Sequence, residues 1–344
     1  MRWSDIKDAV FPAASGSART VINSGSGKLK TYGTVTPADG IAGFAKGCKF
    51  TNTTDGEQYT NKGTSTSCSF KKLNSITNSG TAAGRGPSPV IWDECPVLDF
   101  KLDPTQGWEV FDDFIMNGPL LAASNTTPVT LGGGWWGETS ATAGSTVAPQ
   151  TDAKDGEIEL ACTTTDEVAL LSWLCGHHTT GQVTFEAGKK TWFEARVKVV
   201  NVTNAKQATF CGFAEEGLLG DATLFNADQA VVDKDWIGFV QLPANGDAWQ
   251  TGYNTAGGAG GVDGTPLNAN VSTIVTTVYQ KLGMYCDGVT VYFYVNGVLL
   301  ADSIALTATD VPDGEELAFY FGIGSVDGAD CAASIDWIRV AQEI

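Results

Sequence analysis

From Trp108 onward, the sequence is a succession of short β-strand patterns separated by turns. The segment WFEARVKV alternates apolar residues, from Phe193 to Val199, with the charged residues Glu194, Arg196 and Lys198. This alternation predicts an antiparallel strand with one face in the core and one face in water. Farther along, VTVYFYV is followed by Asn-Gly and VLLAD, which predicts a hairpin with a type I′ turn.

A helical period is almost absent from this part of the chain, and the apolar residues come in short runs. More than ten strands at this spacing predict two packed antiparallel sheets in a jelly-roll or lectin-type sandwich. The segments with a strand pattern are 108–116, 156–163, 168–176, 183–188, 191–202, 208–216, 235–242, 276–288, 289–297, 317–325 and 332–342.

The 344 residues are enough for two domains. The stretch SGTAAGRGPSP (79–89) is rich in Gly, Pro and Ser, as connectors are. After it, VIWDECPVLDFKLDP has the composition of one strand leading into the second domain. We therefore expect an N-terminal segment of short strands at 1–103 and a β-sandwich at 104–344.

The N-terminal segment contains two similar units, GCKF and SCSF, in polar surroundings. Short stacked strand layers and an ordinary hairpin both explain the similarity, because either places residues two apart on one face. The expected core residues are Cys48, Phe50, Tyr59, Cys68 and Phe70. A disulfide between the two cysteines is disfavoured in a reducing compartment. So polar a segment hardly encloses a core, and we expect it to pack against copies of itself or neighbouring proteins.

Composition narrows the class of partner. The formal net charge of −18 makes contact with nucleic acid phosphate repulsive over most of the surface. No run of eighteen apolar residues and no secretory h-region occurs, so the sequence predicts neither a membrane span nor export. Most of the eight cysteines are therefore expected to be reduced and buried.

The order of WFEARVKV, FCGFAE, DWIGFVQL, VTVYFYVNG, FYFGIG and SIDWIRV resembles concanavalin-A-like jelly-roll domains of the lectin, LamG and glucanase type. More narrowly, EVFDDFI at the start and SIDWIRV at the end resemble the version found in structural proteins of tailed bacteriophages. The pattern GC-x-F…Y-x-N-x-G-T-x-x-SC-x-F is similar to a segment of phage virion proteins. The resemblance implies an all-β protein whose N-terminal segment attaches it to a virion.

Catalytic and metal motifs are incomplete. Glucanases of this fold carry Glu-x-Asp-x-x-Glu, whereas Glu157 and Glu159 here lack the later carboxylates and are expected to form the wet face of a strand. His177 and His178 are adjacent, so their side chains would point to opposite faces of a strand. We expect no catalytic residue, no cofactor and no metal. Weak calcium candidates lie in two Asp-Gly turns, at Asp152, Asp155, Asp327 and Asp330.

Aromatic residues beside glycine-rich stretches are candidates for stacking on sugars, for an interface, or for plugging the ends of the sandwich. They are Trp135, Trp136, Trp249 and Tyr253. We expect a non-enzymatic phage structural protein that decorates or cements the outer capsid, a homotrimer whose partners are the major capsid protein or other virion proteins. It would be assembled in the host cytoplasm. The alternatives are a carbohydrate-binding tail-fibre or lectin-like module that recognises host surface glycan and, third, a glycoside hydrolase or lyase.

Overall fold

The computed structural model describes residues 19–24, 27–54, 58–72, 84–115, 128–140, 144–150, 156–173, 183–202, 206–219, 224–226, 228–245, 247–258, 265–326 and 331–344. The chain divides into two compact units, Met1–Asn78 (the N-terminal unit) and Ser79–Ile344 (the sandwich unit). This division differs from the expected boundary at 103, because residues 84–103 pack on the sandwich. The weak calcium candidates and both histidines lie outside the described residues.

The N-terminal unit contains one five-stranded sheet in the order β1-β2-β3-β4-β5. Strands β2 and β3 are parallel, and the other neighbours are antiparallel. Its strands are β1 (Arg19–Ser24), β2 (Gly27–Gly33), β3 (Phe44–Asn52), β4 (Gln58–Asn61) and β5 (Phe70–Lys72). The two Cys-x-Phe units thus belong to a single sheet rather than to stacked layers. Cys48 lies within β3, whereas Cys68 lies in the loop before β5.

Among its described residues, the sandwich unit forms two eight-stranded antiparallel sheets. The front sheet has the order β19-β18-β17-β12-β21-β10-β9, with β6 paired to β21, and the back sheet has the order β16-β15-β14-β13-β20-β11-β8-β7. The strands are β6 (Gly107–Asp112), β7 (Val129–Gly132), β8 (Trp135–Thr139), β9 (Thr146–Pro149), β10 (Ile158–Cys162), β11 (Glu167–Trp173), β12 (Thr191–Val199), β13 (Gln207–Glu215), β14 (Trp236–Gln241), β15 (Ala248–Asn254), β16 (Thr265–Thr273), β17 (Tyr279–Cys286), β18 (Thr290–Val295), β19 (Val298–Ala305), β20 (Leu317–Ser325) and β21 (Cys331–Glu343).

The predicted fold class, an all-β antiparallel sandwich of concanavalin-A-like jelly-roll type, is confirmed. The inner faces of both sheets form one large apolar core, in which Phe193 of β12 lies against Phe213 and Phe319 of the back sheet. The predicted hairpin is also confirmed. Asn296 and Gly297 have φ values of 53° and 73°, as a type I′ turn requires, and Val295 pairs with Val298.

Residues 90–104 do not form the expected strand. Within this stretch and just before it lie two short helices, α1 (Pro89–Trp92) and α2 (Val97–Leu102). Pro89 stands in the first turn of α1, where a missing N–H costs nothing. The buried residues Ile91, Trp92 and Phe100 face the sandwich. We call residues 84–103, which contain both helices, the strap.

Five strands of the sandwich were not predicted, namely β7, β8, β9, β15 and β16. Conversely, residues 183–188 form isolated bridges at Val183 and Phe185 instead of the expected strand. A short 3-10 helix lies at Pro243–Asn245. In the described part of the chain, no helix has the length and apolar character needed to span a lipid bilayer.

Candidate functional site

The strap lies over the outer face of the front sheet, around Glu194. The backbone N–H of Ser88 and the indole N–H of Trp92 both donate to Oε2 of Glu194, at 2.7 and 2.9 Å. Glu194 and Trp92 are 0% and 1% exposed. The sequence predicted Glu194 on a wet face, and this expectation is wrong, because alternation reveals which side chains point outward but not what covers them.

Burial under the strap changes the ionisation of Glu194. Loss of solvation raises the pKa of this carboxyl, although hydrogen bonds from Ser88 and Trp92 and the charge of Lys281 act in the opposite direction. Burial lowers the pKa of Lys281, because loss of solvation disfavours the charged ammonium. The Lys281 ammonium donates to the carbonyl oxygen of Gly86 at 3.1 Å, so it also holds the strap.

Further contacts fasten both ends of the strap. Near its start, the guanidinium of Arg85 pairs with Asp336 at 2.7 Å, and the carbonyl of Arg85 accepts from the Trp337 indole at 2.6 Å. The guanidinium carbon of Arg339 lies 4.3 Å from the centre of the Trp92 ring. Near its end, Phe100 packs edge-on against Trp192, with ring centres 6.3 Å apart. The strap is therefore an integral layer of the sandwich unit.

The outer face of the back sheet is covered as well. Residues 216–219, 224–226 and 228–235 follow β13 and form what we call the cap loop. Its apolar side chains join a second cluster with outward-facing residues of the back sheet, among them Phe210, Trp236 and Tyr320. The backbone N–H of Leu218 donates to the Tyr320 hydroxyl at 3.3 Å.

Glycines on the outer faces make room for both covers. A side chain at Gly283 of β17 would collide with the Cδ1 atom of Ile91 in the strap. On β20, a Cβ at Gly322 would lie 2.6 Å from Cδ2 of Leu170 on the neighbouring strand β11, and 3.1 Å and 3.3 Å from Leu224 Cδ2 and Phe225 Cε2 in the cap loop. Glycine is disfavoured in strand interiors. Its presence beneath the strap and beneath the cap loop therefore indicates that these strands leave room for the two covering segments.

Three of the four aromatic candidates lie inside the sandwich, not on an exposed rim. Trp135 and Trp249 are 0% exposed and belong to the main core, as does Tyr253. The Trp135 indole donates to Asp112 at 2.7 Å, and the Trp249 indole donates to Gln280 at 3.0 Å. Without an exposed ring face they cannot stack on a sugar. Trp136 is half-buried and packs against the second cluster.

Of the two carboxylates considered for catalysis, Glu157 has a structural partner. Glu157 pairs with Lys198 at 2.6 Å. Burial would raise the pKa of Glu157, but hydrogen bonds from Lys198 and Tyr279 outweigh it and lower the pKa. Glu159 lies on β10 opposite Ser334 and Ala148. In the part of the chain that the structure describes, no three His, Cys, Asp or Glu side chains form a group that could hold a metal ion.

One carboxylate cluster was missed in the sequence. Burial and the neighbouring charge of Glu215 raise the pKa of Asp235. Its Oδ1 accepts the backbone N–H of Ala256 at 2.9 Å, while Asp233 accepts from Asn254 at 2.9 Å. These acceptors hold the chain after β15 to the end of the cap loop, and so the cluster has a structural explanation.

The five core residues predicted for the N-terminal unit come together in one cluster. Cys48, Phe50, Cys68 and Phe70 are buried with Phe44, and Tyr59 packs against them. Beside the cluster, the buried Asn61 amide donates to the carbonyls of Phe44 and Ala45. It also accepts the N–H groups of Gly63 and Ser69. These apolar residues are thus packed together by their own chain.

Comparisons with known proteins find similar solved structures but no similar sequence. No family model matches the chain, and no curated protein matches its sequence. Among solved structures, the carbohydrate recognition domain of Emp47p is 11% identical, with a TM-score of 0.40, over 69% of this chain and 97% of that one. A family 16 endo-glucanase from Bacteroides ovatus is 12% identical, with a TM-score of 0.45, over 67% of this chain and 99% of that one.

A carbohydrate esterase from the Shiga toxin-encoding bacteriophage phi24B is 14% identical, with a TM-score of 0.35, over 65% of this chain and 98% of that one. The three proteins differ in activity, and their sequence identities to this chain are low. A shared function does not follow from such similarities, since one fold serves binding, catalysis and scaffolding alike.

Proposed function

We propose that this protein is a non-enzymatic structural protein of a tailed bacteriophage, which decorates or cements the outer capsid through its N-terminal unit. The observation that carries the proposal is the closure of the sandwich by its own chain. The strap covers the outer face of the front sheet at β12, β17, β18 and β21, and the cap loop covers that of the back sheet at β11, β13, β14 and β20. A sandwich covered in this way is better suited to project from a particle as a rigid, acidic domain than to hold a ligand in a groove.

The ionisation of the carboxyls supports the same proposal. A general acid needs a raised pKa together with access to substrate. Glu194 has a raised pKa but is sealed under the strap. Glu157 has a lowered pKa and a lysine partner. The division into two compact units supports the proposed attachment to the capsid, because a separate N-terminal unit can bind the particle while the sandwich unit projects from it.

Location is the test. Mass spectrometry of purified particles of the encoding phage should find the chain at high copy number. Particles that lack the chain should bind the full-length protein and should not bind a chain that begins at Ser79, which retains the strap. Sedimentation of the free protein tests the predicted trimer. Absence of the chain from intact particles would contradict the proposal, and saturable binding in a glycan panel would favour the carbohydrate-binding alternative.

A further inference from the structure

The two units carry opposite charge. Residues 1–78 contain 10 Lys and Arg against 5 Asp and Glu, a net charge of +5. Residues 79–344 contain 11 Lys and Arg against 34 Asp and Glu, a net charge of −23. The acidity of the whole chain therefore conceals a basic N-terminal unit. Such an asymmetry sets the kind of surface that each unit attracts.

Part of this positive charge lies on one face of the N-terminal sheet. Lys30 of β2 and Lys49 of β3 are direct register partners, and both are exposed. Across the next strand pair, Lys49 lies opposite Thr60 of β4. Cys48 and Phe50, which flank Lys49, are buried in the core of the unit. Because neighbouring residues of a strand point to opposite faces, the lysines lie on the face away from that core.

Folding does not require two neighbouring lysines in the middle of this sheet. Neighbouring strands are about 4.8 Å apart, and like charges at such positions are destabilising. Asp39 is the one carboxylate among the described residues of the N-terminal unit, and it accepts from the Ser69 hydroxyl at 3.3 Å. In the described part of the unit, neither Lys30 nor Lys49 has an acidic partner. The repulsion is relieved when an anionic surface covers the lysines.

We propose that this face of the N-terminal sheet, centred on Lys30 and Lys49, docks on a carboxylate-rich protein surface of the particle. The proposal rests on the function proposed above, in which this unit attaches the chain, and it adds the chemistry of the partner. Charge complementarity selects an acidic surface. The difference in charge would also orient the bound chain, because the acidic surface that attracts the N-terminal unit repels the sandwich unit, whose net charge is −23.

One observation favours a protein over nucleic acid. The same small unit exposes the apolar residues Leu29, Val35 and Ile41, at 40%, 68% and 47%. Such side chains gain free energy when they are buried against protein, but they contribute nothing to contacts with phosphate.

The test uses the full-length chain and its double variant Lys30→Glu/Lys49→Glu. The matched control is Lys101→Glu/Lys189→Glu, which makes the same change in net charge at two lysines of the sandwich unit whose side chains are 63% and 35% exposed. A second control, Lys30→Arg/Lys49→Arg, keeps the positive charge. Each protein is titrated against poly-L-glutamate, against duplex DNA of equal total charge, and against particles that lack the chain. Bound particles are then treated with a carbodiimide, which joins a lysine amine to a nearby carboxylate as an amide with loss of water.

We expect the Lys30→Glu/Lys49→Glu variant to bind both poly-L-glutamate and particles at least about tenfold more weakly, while both controls stay within about twofold of wild type. Mapped cross-links should join Lys30 or Lys49 to Asp or Glu of another particle protein. Equal binding by the double variant, tighter binding to DNA than to poly-L-glutamate, or cross-links only between copies of this chain would each overturn the docking proposal. If the wild type does not bind particles at all, the proposed function fails, and the poly-L-glutamate titration still decides whether this face prefers carboxylates.

Discussion

The hydrogen bond from Trp92 to Glu194 makes the docking of the strap depend on pH, and the substitution Trp92→Phe isolates it. Phenylalanine keeps a ring beneath Arg339 and removes the N–H that donates to Glu194 at 2.9 Å. A hydrogen bond to an ionised group contributes about 1.5–3 kcal/mol, and one to a neutral group about 0.5–1.5 kcal/mol. The smaller ring also loses about 40 Å² of buried apolar surface, which is about 1 kcal/mol.

These magnitudes predict that Trp92→Phe lowers the free energy of unfolding by about 2.5–4 kcal/mol where Glu194 is ionised and by about 1.5–2.5 kcal/mol where it is protonated. Since burial raises the pKa of Glu194, the larger cost belongs to the higher pH. Urea unfolding at two pH values, one on each side of the titration of Glu194, measures both costs. Hydrogen exchange in peptides that span residues 84–102 shows whether the loss is confined to the strap.

Trp337→Phe is the matched control. Trp337 is also buried and its indole also donates at the edge of the strap, but the acceptor is the neutral carbonyl of Arg85. Its substitution should cost about 1.5–2.5 kcal/mol at both pH values. If the two variants lose equal stability at both pH values, Glu194 does not accept from Trp92 as an ionised group, and the reasoning is refuted.

Three further perturbations test other parts of the structure. Glu194→Gln should remove a pH dependence of stability. The raised pKa of Glu194 in the folded state stabilises wild type below the unfolded-state pKa of about 4.5, and this stability is lost as the pH rises through the folded-state pKa. In urea titrations at rising pH, wild type should therefore lose stability relative to the variant. Asn61→Ala removes a hydrogen bond from each of five backbone groups, and its cost of about 3 kcal/mol or more should appear as rapid hydrogen exchange in the N-terminal unit with the sandwich unchanged. Gly322→Ala should place its Cβ 2.6 Å from Leu170 Cδ2 and 3.1 Å from Leu224 Cδ2, so it should cost about 1–3 kcal/mol in urea unfolding and speed proteolysis near Leu224. Unchanged stability together with an unchanged cleavage rate would show that glycine is not required there.

The strands of the sandwich could be predicted where alternation and turn chemistry agree. β12, β18 and β20 follow from their patterns, and the Asn296-Gly297 turn follows from the positive φ that both residues tolerate. β8 and β15 were missed because neighbouring glycines suggested loops. In the structure, Gly133 and Gly134 form the turn before β8, and Trp135 already belongs to the strand.

The candidate site was harder to predict, because it depends on long-range contacts. The segment VIWDECPVLDF contains enough apolar and β-branched residues to suggest a strand. Its helices form where Ile91, Trp92 and Phe100 meet the front sheet, which no local pattern specifies. The one available signal was Gly283 in a strand interior, since glycine there indicates a close approach by another segment.

The position of the strap also determines which N-terminal truncation can test attachment to the particle. A chain that begins at Thr105 would lack all of residues 84–103, so Trp192 would lose Phe100 and the buried Glu194 would lose both of its donors. Removing the partners of a buried charge costs several kcal/mol, enough to damage the sandwich itself. Failure of that chain to bind particles would therefore say nothing about the N-terminal unit. A chain that begins at Ser79 keeps the strap in place, and its failure to bind would assign attachment to the basic unit that it lacks.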